Sequence, residues 1–218
     1  KWLAVLARTN VLAYNPAMVK ESELPASLLD FANPAWKDKI AIAPTDADFL
    51  PIVGAVIALK GKDAALAWLK GLKANAQIFD DDEAVVAAVE GGRVATGIIN
   101  NYYWDRLAVE QGADKTRSKV YYFGNGDPGA VVNISGVAVL KSAPYPEAAQ
   151  KFAAYLVSER AQQLLAKGKI NFEYPLRPGV APDPTLKPFD QLQPPALDAT
   201  KLGDDSSVGE LLQEAGLL

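Results

Sequence analysis

Two consecutive tyrosines, Tyr102 and Tyr103, are the residues of this chain with the most distinctive capacity for chemistry. Phenol titrates near pH ~10, so a tyrosine is ordinarily neutral and a poor ligand at neutral pH. A hard cation of high charge inverts this, because its field stabilises the phenolate. Successive helical side chains point about 100° apart, so joint ligation requires the pair to sit at an irregular first turn. By residue type alone, Asn100-Asn101-Tyr102-Tyr103-Trp104 reads first as aromatic packing for a core, which is the commoner use of such a run. A second grouping, Pro44-Thr45-Asp46-Ala47-Asp48, falls between a strand-like and a helix-like segment, where backbone N–H groups can receive an anion. Its two carboxylates repel one, and N-capping of a helix starting near residue 49 or 50 accounts for them as well. The run Asp80-Asp81-Asp82-Glu83 lacks the D-x-D-x-D-G spacing of a calcium loop and suits an acidic helix start.

Composition narrows the chemistry further. The 218 residues include no cysteine and no histidine, which removes disulfides, thiolate nucleophiles, zinc fingers and Ser-His-Asp triads. Any metal must therefore be held by oxygen from Asp, Glu, Tyr or backbone carbonyls, a donor set suited to magnesium, calcium, manganese or ferric iron. No nucleophile–base pair stands out, so the chain reads as a binding protein and not an enzyme. The net charge of −4, with Lys and Arg scattered, gives no basis for nucleic-acid binding. No apolar run approaches the ~20 residues of a membrane span. Lys1-Trp2-Leu3-Ala4-Val5-Leu6-Ala7-Arg8 reads as a strand entered midway, not as a signal peptide.

The elements that must position these groups alternate. Strand patterns cover 4–14, 39–43, 94–99, 120–123 and 131–140. Helical patterns cover 27–31, 51–59, 64–75 with Asp63 as N-cap, 83–90, the segment from Asn100 to about Gln111, and 208–215. Residues 147–165 give the strongest amphipathic helix, with Phe152, Leu156, Leu164 and Leu165 facing the core. The proline-rich stretch 174–195 is expected to wrap a surface without regular structure. Strands alternating with helices predict an α/β fold.

Gly97-Ile98-Ile99-Asn100-Asn101-Tyr102-Tyr103-Trp104 resembles the iron-ligating segment of periplasmic ferric-binding proteins, members of the ABC-transporter solute-binding superfamily. Further segments match in order: Arg8-Thr9-Asn10-Val11-Leu12-Ala13-Tyr14-Asn15, Asn33-Pro34-Ala35-Trp36-Lys37, Ile42-Ala43-Pro44-Thr45, Ala65-Leu66-Ala67-Trp68-Leu69-Lys70-Gly71-Leu72-Lys73, Asp127-Pro128-Gly129-Ala130, Gly136-Val137-Ala138-Val139-Leu140-Lys141, Glu173-Tyr174-Pro175-Leu176 and Leu211-Leu212-Gln213-Glu214-Ala215-Gly216. The resemblance implies a periplasmic-binding-protein-like two-lobed clamp of type II. It implies that 9–132 and 183–218 form the C-terminal lobe, 1–8 an inter-lobe strand, and 133–182 a remnant of an N-terminal lobe, with about the first third of the family's chain missing. Such a fragment is expected to self-associate through its incomplete lobe.

The same resemblance makes Tyr102 and Tyr103 metal ligands, with ferric iron as the transported ligand and an ABC-transporter permease in the membrane as partner. The location it implies is periplasmic, or the cell surface as a lipoprotein. Asp46, Ala47, Asp48, Asp82 and Asn100 fall at its metal or anion site. Small polar residues of the family stand replaced there by carboxylates, so the carbonate or phosphate that completes the family's iron site is doubtful here. The alternative cargo is another hard cation or a small organic anion.

Overall fold

The computed structural model describes residues 2–169, 171–197 and 205–218. It contains seven strands and seven α-helices among these residues, arranged in two compact units. The larger unit comprises Thr9–Val131 and Leu192–Leu218, and the smaller comprises Val132–Gln191 together with the chain up to Arg8. Strand β1 (Leu3–Tyr14) contributes to both.

In the larger unit, β2 (Ile40–Ile42), β3 (Ala76–Ile78), β4 (Thr96–Asn100) and β5 (Lys119–Tyr121) join β1 in the order β3-β2-β4-β1-β5. β2 is parallel to β3 and β4, while β1 runs antiparallel to β4 and β5, with Asn10 opposite Asn100. Both faces of the central strands are covered, so β2 and β4 are buried along their whole length and not at alternate residues. The twofold period sorts them cleanly. Leu12, Ile40, Ile42 and Ile98 pack with α1 (Leu50–Lys60), α2 (Lys62–Asn75) and α7 (Asp205–Ala215). Val11, Ala13, Ala41, Ala43 and Ile99 pack with α3 (Asp82–Glu90) and with Tyr103, Trp104 and Leu107 of α4 (Asn101–Gln111). Gly97 permits the close approach of α3, since a Cβ there would collide with the Val85 and Val89 side chains.

In the smaller unit β1 pairs with β6 (Val132–Val137) and with β7 (Tyr174–Pro175), the latter antiparallel through Leu6 and Ala7. The carboxamide of Gln162, only 1% exposed, joins three elements. Its Nε2 donates to the carbonyls of Val5 at 2.9 Å and Leu156 at 3.0 Å, and its Oε1 accepts from the N–H groups of Leu176 at 2.9 Å and Arg177 at 3.2 Å. Every hydrogen-bonding capacity of that buried amide is thereby used.

Several sequence expectations need correction. Residues 147–165 form two helices, α5 (Pro146–Leu156) and α6 (Glu159–Lys167), because Ser158 accepts a bond from the Ala161 N–H and starts a new helix. The break resets the periodicity. Ala153, Ala161, Gln162 and Ala166 carry the buried face, while Phe152 and Leu164 are each 60% exposed. The strand expected over 131–140 ends at Val137; Gly136 already lies against Trp2 and Leu3, where β1 begins, so the ladder runs out of partner. Asp63 is not a cap: α2 starts at Lys62, after Gly61 at a φ of 88°. Within the proline-rich stretch, Tyr174 and Pro175 form a short strand, and Tyr174 Oη donates to the Lys187 carbonyl at 2.8 Å. Tyr174 also makes a ring contact with Phe189, and the smaller unit extends as far as Gln191. Lys1 of the expected 1–8 strand, Ile170 of the expected 133–182 segment, and residues 198–204 of 183–218 lie outside the described residues.

Candidate metal centre

The site is assembled in the larger unit, where the segments that follow β2, β3 and β4 are joined by hydrogen bonds. β4 is buried along its whole length and delivers the chain directly into α4, with Asn100 as the N-cap residue. Tyr102 and Tyr103 thus occupy the second and third positions of the helix, in its first turn. Their ring centroids lie 4.2 Å apart with planes inclined by 32°, far closer than two neighbours pointing freely from a helix. Both hydroxyls converge on one oxygen: Oδ2 of Asp48 accepts from Tyr102 at 2.5 Å and from Tyr103 at 3.2 Å.

Asp48 sits in the loop that follows β2, and its neighbour Asp46 shapes that loop. Asp46 Oδ1 accepts from the Asp48 N–H at 3.0 Å, and its Oδ2 accepts from the Asp82 N–H at 3.2 Å. Asp82 in turn opens α3 and accepts the Asn100 N–H on Oδ2 at 3.2 Å. A chain of carboxylate-to-backbone bonds therefore fixes the loop to α3 and α3 to the end of β4. N-capping does not explain the loop aspartates, because α1 starts from Phe49 without a side-chain cap. In the acidic run it is Asp81 that caps α3, accepting from the Ala84 N–H at 2.7 Å. Ala47 is exposed and brings no polar side chain to the cluster. The buried Asn100 Nδ2 has no acceptor among the described residues, and neither has Asn10 Oδ1 a donor on the paired strand.

Electrostatics follow from this burial. Asp48 and Asp82 are 7% and 4% exposed. Burial, with the charge of Asp46 next, pushes the Asp82 carboxyl well above the ordinary carboxylate range. The Tyr102 phenol is pushed far up, first by burial and then by its bond to Asp48. The Tyr103 phenol also rises, again mainly through burial, and the Asp48 charge adds to it. Without a cation both phenols hold their protons firmly, and a cation strong enough to displace them meets an all-oxygen pocket. Among the described residues, no group of three or more Asp or Glu side chains is arranged to hold a metal ion.

Sequence reasoning overlooked Arg106. Its guanidinium carbon lies 4.6 Å from the Tyr102 ring centroid and 5.8 Å from that of Tyr103, and the group reaches Glu83 at 3.8 Å. The signal was present in the spacing, since Arg106 is one helical turn beyond both tyrosines.

A model of the family described as bacterial extracellular solute-binding protein matches residues 1–194. The chain belongs to that family. It is 40% identical to the Fe(3+)-binding periplasmic protein of Serratia marcescens over 218 residues, all of this chain and 64% of that protein. It is 38% identical to the major ferric iron-binding protein of Neisseria meningitidis serogroup B, over 99% of this chain and 65% of the relative. Among solved structures, iron-bound HitA from Pseudomonas aeruginosa superposes with a TM-score of 0.93 at 45% identity, covering 99% of this chain and 69% of that one. Apo FutA2 from Synechocystis gives a TM-score of 0.84 at 32% identity, covering 100% of this chain and 71% of that one. The fold is thus the α/β fold of the type II periplasmic iron-binding proteins, and the chain spans about two thirds of the length of these relatives.

Proposed function

We propose that this protein captures ferric iron through Tyr102 and Tyr103 and delivers it to an ABC-transporter permease, as the extracytoplasmic component of an importer. The observation that carries this reading is the convergence of two phenol oxygens on the single carboxylate oxygen of Asp48. Hard oxygen donors in close array suit a trivalent hard cation, and relatives bearing ferric-binding names support the same cargo. The role is binding rather than catalysis. The larger unit corresponds in this reading to a C-terminal lobe and the smaller to part of an N-terminal lobe. The setting is the periplasm or, with lipid anchoring, the cell surface; no helix among the described residues is long and apolar enough to cross a membrane.

In loading, iron takes the phenolate oxygens as their two protons leave, and Asp48 exchanges two phenolic hydrogen bonds for the metal. Asp48 then stands where an external anion would otherwise balance charge, so neither carbonate nor phosphate is required. Asp46 and Asp82 hold the loop and α3 in register, and the Asn100 amide donates to an oxygen bound at the metal. Titration with ferric iron tests the reading. A visible tyrosinate-to-iron charge-transfer band should grow with loading and vanish when both tyrosines become phenylalanine. A band of unchanged intensity in that double variant would rule the assignment out, and a competition series with manganese and small organic anions would expose a different cargo.

A further inference from the structure

Two adjacent tyrosines on a helix should splay apart, yet these two rings lie tilted together with centroids 4.2 Å apart. Asp48 gathers their hydroxyl ends. Arg106 lies over both rings, 4.6 Å from the Tyr102 centroid and 5.8 Å from that of Tyr103. Position 106 is four residues after Tyr102 and three after Tyr103, so one side chain there lies a turn above both at once. The residue before it cannot serve, because Asp105 is buried and accepts a bond from Asn101 Nδ2 at 3.1 Å. The guanidinium is itself held: Glu83, in the first turn of α3, reaches it at 3.8 Å. Arg106 therefore spans the two helices that carry Asp82 and the tyrosine pair.

We propose that Arg106 is a positioning residue of the metal centre, clamping the two tyrosine rings together and supplying positive charge to their faces when iron converts them to phenolates. This rests on the reading that the tyrosines bind iron. Two effects compete. A fixed cation repels a trivalent ion, but iron would be held at the phenol oxygens, whereas the guanidinium lies over the ring faces. Attraction between a cation and a ring face is electrostatic, and it strengthens as the ring gains the negative charge of a phenolate. The clamp therefore favours the loaded state over the empty one. Lysine could keep the charge but not the flat two-ring contact, because its ammonium is a point charge on a flexible stem.

The test is iron titration of the wild-type protein and of Arg106→Gln, Arg106→Lys and Glu83→Gln, with ferric iron supplied as its nitrilotriacetate complex. Arg106→Gln should bind iron about tenfold more weakly. Its charge-transfer band should move to longer wavelength, because loss of the nearby cation raises the phenolate donor level. Arg106→Lys should keep most of the band position while losing affinity, and Glu83→Gln should shift both in the direction of Arg106→Gln by less. A band position and affinity in Arg106→Gln equal to wild type would overturn the clamp while leaving the tyrosine assignment intact. Absence of the band from the wild-type protein would overturn both. Should Arg106→Gln fail to fold, unchanged band positions and affinities in Arg106→Lys and Glu83→Gln would overturn the clamp on their own.

Discussion

Replacing Asp48 with asparagine removes one negative charge from the point where both phenols converge while keeping an oxygen acceptor in place. In the empty protein the consequence is modest. Two charge-assisted hydrogen bonds become neutral ones, a loss of about 1 kcal/mol each, and burying an amide costs less than burying the carboxylate it replaces. Folding stability should therefore change by less than about 2 kcal/mol. Iron binding should respond far more. Two unit charges about 4 Å apart at an effective dielectric of about 20 interact by about 4 kcal/mol, which is about three decades of affinity for a single unit of uncompensated cation charge. Water entering the gap recovers part of this, so we expect a loss of about 10²- to 10³-fold. Competition against a chelator of known affinity measures it, with and without phosphate. Asp48→Asn should bind iron weakly alone and regain affinity with phosphate, while the wild type should be indifferent to it. An Asp48→Asn affinity within about threefold of wild type in both buffers would refute the role given to this carboxylate.

Three further outcomes are expected. Burial raises the affinity of the Glu90 carboxyl for its proton, but hydrogen bonds from the Arg117 N–H at 2.9 Å, the Ser118 N–H at 2.8 Å and Ser118 Oγ at 2.6 Å outweigh it and hold the group below its ordinary range. Its contribution is present above the unfolded carboxyl pKa of about 4.3 and is lost as pH falls through the lower folded value. Urea unfolding should show Glu90→Gln less stable by about 1–3 kcal/mol at neutral pH, with a shallower decline on acidification. Gly97→Ala should destabilise by about 1–3 kcal/mol through overpacking against Val85 and Val89, read as a lowered melting temperature that Val85→Ala partly restores. Leu140, Tyr145, Phe152 and Leu164 leave exposed apolar surface on the smaller unit, so sedimentation velocity at about 50 µM should detect self-association. Phe152→Ser with Leu164→Ser should shift the population toward monomer.

Much of this was readable in the residues, and the failures have physical causes. Alternation of Leu12 with Val11 and Ala13, and of Ile98 with Ile99, assigns each strand residue to one of two cores, which is the signature of a sheet covered on both faces. The helix over 147–165 was misread because Ser158 lies within an apolar pattern that would be continuous without it; a cap is a three-dimensional bond, and serine alone does not reveal it. Tyr102 and Tyr103 were recognisable through the family segment around them, whereas their residue types favoured packing. Packing accounts for part of Tyr103 in any case, since its ring also lies against the core beside Ile99. Asp46, Asp48 and Asp82 stood out as carboxylates, but the partition of labour among them was not legible. Residues 46 and 82 are 36 positions apart in sequence, and the bond from the Asp82 N–H to Asp46 exists only once the loop and α3 are folded.

That bond has an evolutionary consequence. Asp46 acts through its side chain on a backbone group, so it constrains the conformation of α3's first residue rather than its identity, whereas Asp82 receives the Asn100 N–H through its own carboxylate. Drift at position 82 should therefore be tolerated wherever another side-chain acceptor reaches that N–H. Drift at position 46 should be tolerated only alongside a change in loop length or a new acceptor for two N–H groups. Across homologues, then, loop length and residue 46 should covary as one inherited cassette, and residue 82 should wander more freely.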